Sequence, residues 1–179
     1  MKLLMFAASL RAASFNKKLI NLAAKLLQQA GQTVDLADFS EFDMPLYNAD
    51  VQEKGLPPNV TKFVERLKQN DGLIISTPEY NFSMPGTLKN FIDWVSRVRP
   101  MPWQGQQILL LSASPSLVGG NRSLWNTRIP LECCGSFVYP DMFSLASAHE
   151  AFTEDGQLKD QKSQQRLSDL MNKFVEYIK

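Results

Sequence analysis

A chain of 179 residues with 44% hydrophobic and 21% charged side chains is long enough to bury a substantial core, and its length predicts one domain spanning 1–179. A formal net charge of +1 gives no field that would steer nucleic acid or an anionic membrane surface. No apolar run approaches the roughly eighteen residues of a membrane span, and the N-terminus shows no signal-peptide pattern, so a cytoplasmic protein is expected.

Strand and helix patterns alternate along the chain. The apolar run Lys2 to Ala7 reads as a buried strand. A helix follows from about Ser14 to Ala30, with Leu19, Ile20, Leu22, Ala23, Leu26 and Leu27 at helical spacing and Gly31 as its stop. Thr33 to Phe39 alternates as a second strand. A loop from Ser40 to Pro58 leads to a helix carrying Val60, Phe63, Val64 and Leu67. Gly72 to Ser76 is a short strand apolar enough to be covered on both faces. A helix from about Gly86 to Arg97 turns Leu88, Phe91, Ile92 and Val95 inward, and Gln107 to Ser112 is the fourth strand. A helix from about Arg122 to Cys134, a fifth strand from Ser136 to Tyr139 and a last helix from about Lys159 to Ile178 complete the series. Cys133 and Cys134 have no disulfide framework or metal spacing around them and read as buried small side chains. The sole histidine, His149, has no obvious partner.

Strands that each lead into a helix predict an α/β fold, a parallel sheet covered on both faces, because right-handed crossovers are nearly obligatory. For five strands the order 2-1-3-4-5 is a common solution, and ligands then bind beyond the carboxyl ends of strands one and three, where the order reverses. The loops at that point are also the chemically richest stretches. In Ala8 to Asn16, Ser9, Ser14 and Asn16 offer neutral hydrogen bonds, Arg11 offers a forked ionic one, and the helix start supplies unpaired N–H groups that attract anions. Read by itself the stretch is either a phosphate cradle or an ordinary Ser14 cap beside a solvated arginine. It lacks the Gly-rich nucleotide fingerprints. In Thr77 to Gly86, Pro78 and Pro85 stiffen the chain, and backbone N–H groups from Glu79 to Asn81 could bind the carbonyl and nitrogen atoms of a planar redox ring. Its aromatic residues could equally pack on a neighbouring subunit. A third segment, Ser112 through Asn121, could close over such a ring or be a flexible loop only.

Two motifs carry a resemblance to a known family. Ser9-Leu10-Arg11-x-x-Ser14-x-Asn16 is the first, with Phe15 inside it. Pro78-Glu79-Tyr80-Asn81-x-Ser83-x-Pro85-Gly86-x-Leu88-Lys89-Asn90-x-Ile92-Asp93-Trp94 is the second. Together they resemble the NADPH-dependent FMN reductases, flavodoxin-like proteins that include bacterial quinone, chromate and azo-dye reductases. The resemblance implies a three-layer flavodoxin-like sandwich. It implies that Ser9, Arg11, Ser14 and Asn16 bind the FMN phosphate, that Pro78, Glu79, Tyr80 and Asn81 line the isoalloxazine, and that Ser114 and Gly119 lie near the ring. It further implies NADPH or NADH as co-substrate, quinones, azo compounds, chromate or free flavin as acceptors, and a homodimer or homotetramer. The Ser83–Trp94 segment and Arg122 are its interface candidates. Ala8 departs from the pattern, since many relatives carry Gly there.

In this reading no side chain acts as nucleophile or general base and no metal takes part, because the flavin carries the chemistry. The alternative is a flavodoxin-type electron carrier, against which the near-neutral charge argues. A cysteine phosphatase would need a thiolate within residues 7 to 16, and a receiver domain needs carboxylates where Ser9 and Thr77 stand. Neither condition is met.

Overall fold

The computed structural model describes residues 1–179. The strand β1 (Lys2–Ala7) is followed by α1 (Phe15–Gln29), β2 (Thr33–Asp38), a 3-10 turn (Phe39–Phe42), the short α2 (Ala49–Gln52), α3 (Pro58–Lys68), β3 (Gly72–Ser76), α4 (Gly86–Val95), β4 (Gln107–Ala113) and α5 (Asn121–Cys133). Then come β5 (Phe137–Val138), β6 (Phe143–Leu145), the short α6 (Ala148–Ala151) and α7 (Gln161–Tyr177). No helix is long and apolar enough to cross a membrane.

The sheet is parallel throughout and runs β2-β1-β3-β4-β5, as the sequence pattern predicts. One strand differs from expectation. The predicted stretch Ser136–Tyr139 yields only the two residues of β5, and a sixth strand, β6, pairs beside the upper part of β4 through Leu111–Phe143, Ser112–Ser144 and Ala113–Leu145. Pro140 separates the two pieces; it has no N–H to extend a ladder, so the edge of the sheet is built from two short segments. Phe39, placed at the end of the second strand by its alternation, instead starts the 3-10 turn, where Asp38 and Glu41 form a capping box.

Alternation along β1 sends Leu3, Met5 and Ala7 to one face and Leu4, Phe6 and Ala8 to the other. The first face packs under α1 and α7. The second packs under α3, α4 and α5, where Phe6 stacks on Phe39 at 5.4 Å and meets Phe91 edge-on at 5.8 Å. Both faces are buried, which fixes the carboxyl ends of β1, β3 and β4 side by side at one rim.

Candidate functional site

Three loops meet at that rim. Ser9, Arg11, Ser14, Phe15 and Asn16 from the first, Pro78, Glu79 and Tyr80 from the second, and Ala113, Ser114 and Pro115 from the third line one cleft of about 250 Å³.

The first loop presents hydrogen-bond donors that the chain itself leaves without partners. Ser14 caps α1 with an extended backbone, its hydroxyl accepting the Asn16 N–H at 3.2 Å. No acidic residue stands in the first turn of α1 to offset the positive end of the helix. Ser9 N–H bonds the Ala7 carbonyl, but the N–H groups from Leu10 through Phe15 donate to nothing in the chain. Arg11 is exposed and forms no ion pair, in contrast to Arg66, which is shared between Asp35 and Glu41. Ser9 and Ser14 lie buried at the base of the turn. A run of consecutive unpartnered amides beside an unpaired guanidinium fits a phosphate group.

The second loop is held from within. Tyr80 and Ser83 exchange backbone bonds at 2.9 and 3.0 Å across a tight turn whose central residues, Asn81 and Phe82, both take left-handed φ values of 50° and 64°. The expected row of ring-facing amides is therefore interrupted. Tyr80 N–H is spent on Ser83, and those of Glu79 and Asn81 stay without a protein acceptor. The Glu79 carboxylate is also committed. One of its oxygens accepts the N–H groups of Arg122 at 3.0 Å and Ser123 at 3.3 Å, while the other lies 3.7 Å from the Arg122 guanidinium. It thereby caps α5, whose own cap residue is Gly120 and has no side chain to do so.

Not every predicted site residue lines the cleft. Asn81 and Gly119 fall outside its walls. Gly119, at φ +62°, packs where a Cβ would sit 2.6 Å from the Leu145 carbonyl carbon, so its need for glycine is steric. The Asn16 carboxamide is occupied by Ser76 and Ala113. Ala113 and Pro115 line the cleft as part of the third segment, which follows the central strand.

Other expectations need correcting. Cys133 is exposed and Cys134 half-buried, because α5 turns Trp125, Ile129 and Cys133 outward at a four-residue spacing. Burial pushes the Cys134 thiol above its usual range. Within the Ser83–Trp94 segment, Trp94 is fully buried and donates its indole N–H to the Pro45 carbonyl at 2.7 Å, so it presents nothing to a partner.

Residues 1–150 match the NADPH-dependent FMN reductase family. The chain is 37% identical over 171 residues to an NAD(P)H-dependent FMN reductase of Pseudomonas aeruginosa, covering 92% of this chain and 88% of that one. It is 34% identical over 173 residues to a quinone reductase of Escherichia coli, covering 95% and 91%. Among solved structures, the flavoenzyme NAD(P)H:(acceptor) oxidoreductase FerB of Paracoccus denitrificans superposes with a TM-score of 0.84 at 27% identity, over 99% of this chain and 96% of that one. The chain belongs to the NADPH-dependent FMN reductase family. It is an FMN- and NAD(P)H-dependent oxidoreductase on a flavodoxin-like fold, and the carrier alternative falls away.

Proposed function

We propose that the protein passes two electrons from NAD(P)H through bound FMN to a quinone or related small acceptor such as an azo compound, chromate or free flavin. The observation that carries the reading is the run of unpartnered amides from Leu10 to Phe15, set beside the unpaired Arg11 in the same cleft as Glu79 and Tyr80. Arg11, the hydroxyls of Ser9 and Ser14 and these amides take the phosphate. The amide of Glu79 holds the ring edge, with Pro78, Tyr80 and Ser114 as its surroundings. A flavin held there would supply the two-electron redox chemistry between NAD(P)H and the acceptor. The chain's own work is to grip the phosphate, fix the ring and leave one ring face open for both substrates in turn. Tyr80, 56% exposed at the mouth, is the side chain each of them passes.

The same reading includes a cytoplasmic protein of one folding unit, 1–179, that pairs with copies of itself. The outward face of α5 favours self-association. Trp125 and Ile129 are 56% and 66% exposed there, and Phe82 stands beside them, stacked under Arg122 at 4.2 Å.

An absorbance scan of purified protein with FMN, before and after anaerobic addition of NADPH, tests the reading. Bleaching of the flavin band, reversed by a quinone, is expected. Protein that leaves the band unchanged with both NADPH and NADH overturns it.

A further inference from the structure

In β4, Leu111 turns its carbonyl toward β3 and accepts the Thr77 N–H at 2.8 Å. By alternation along a parallel strand, Ala113 offers its N–H and carbonyl to that same side, while Ser114 turns the other way and bonds Leu145. Yet β3 ends at Ser76, and the chain beyond it leaves the sheet, so Ala113 has no strand beside it. The Asn16 side chain fills the missing place. Its Nδ2 donates to the Ala113 carbonyl at 2.9 Å, and its Oδ1 accepts the Ala113 N–H at 3.0 Å. The same oxygen accepts the Ser76 hydroxyl at 2.9 Å. Asn16 is 2% exposed, so these bonds form in a buried setting where losing them is costly.

We infer that Asn16 is a positioning residue, its carboxamide acting as a one-residue strand edge that ties the start of α1 to the ends of β3 and β4, and not as a phosphate ligand. The inference rests on the flavin reading above. It makes the distance between the phosphate-binding turn and the wall formed by Ala113, Ser114 and Pro115 depend on one side chain. Removing that side chain then disturbs the whole flavin, not its phosphate alone.

The test is a pair of fluorescence-quenching titrations of the flavin-free protein, one with FMN and one with riboflavin, which lacks the phosphate. Arg11→Ala sets the phosphate-only pattern, a weaker FMN complex with riboflavin unchanged. For Asn16→Ala the expectation is an equal loss for both ligands, about tenfold or more, as for buried hydrogen bonds broken. The visible circular dichroism of bound FMN should change as well, which Arg11→Ala should leave alone. Ser76→Ala, which removes one bond to Oδ1 and lies outside the cradle, should weaken both ligands equally by a smaller factor. That variant decides the matter if Asn16→Ala does not fold. A loss confined to FMN makes Asn16 a phosphate ligand and overturns the inference. Unchanged affinities with a lowered melting temperature leave it a purely structural residue and overturn it too. Wild-type protein that binds no FMN removes the functional reading and this inference with it.

Discussion

The first and second loops of the cleft solve opposite problems. The first leaves its amides from Leu10 to Phe15 and its Arg11 without protein partners. The second spends its groups inward: Tyr80 on Ser83, Glu79 on the start of α5, and the Phe82 carbonyl on the Asn126 amide at 2.9 Å. One loop is organised for a ligand and the other for shape. Together they show how a small fold can keep a charged grip open without losing the rigidity of the wall facing it. Substitutions in the inward-bonded segments should cost stability, and substitutions in the open one should cost cofactor affinity.

The largest effect is expected at Gly119 in the third loop. An added Cβ at φ +62° meets the Leu145 backbone, which cannot rotate away, so Gly119→Ala should lower unfolding free energy by about 3 kcal/mol in urea titration. Glu79→Ala should cost about 2 kcal/mol by the same measurement, because it uncaps α5 and strands Arg122. An unchanged midpoint would break the contrast, since Glu79 would then be a ligand-side residue. Arg11→Ala should leave the unfolding curve of the flavin-free protein unmoved and weaken FMN binding by about 2 kcal/mol, the scale of a charge-assisted pair. A drop in stability would mean that the open loop carries structural weight after all.

The smallest effect concerns the satisfied arginine. Asp35 is held below its usual carboxylate range, chiefly by hydrogen bonds from Arg66, with Asn70 assisting and partial burial opposing. Its folded value is depressed, so its contribution is present above the unfolded value near pH ~4 and fades as pH falls through the folded value. Asp35→Asn should therefore cost about 1 kcal/mol at neutral pH. The difference from the parent should narrow in denaturation curves taken below that unfolded value and close below the folded one.

Much of this was readable from residue order. Three of the first four strands, β1, β3 and β4, are buried on both faces, so their apolar runs stand out, and the polar stretches that follow them became the cleft loops. The edge beyond β4 was not readable, because Phe143-Ser144-Leu145 is too short to carry a period and Pro140 hides the break. The exposure of Cys133 was legible in principle from its spacing with Trp125 and Ile129, but the apolar character of that stripe mimics a core face. The Asn16 bonds could not be foreseen, since they join positions 60 and 97 residues distant along the chain. The self-bonding of Tyr80 and Ser83 depends on two left-handed residues, Asn81 and Phe82, of which only the asparagine is a familiar occupant of that conformation.

The run of unpartnered amides at the start of α1 has a practical side. Any small oxyanion at millimolar strength is a candidate occupant, and by mass action it stabilises the fold as RT ln(1 + [L]/Kd). Melting curves recorded in phosphate or sulfate should sit above those in chloride or a zwitterionic medium, and apparent FMN affinities should be poorer there. The choice of buffer is then a hidden variable in every comparison between loaded and unloaded protein.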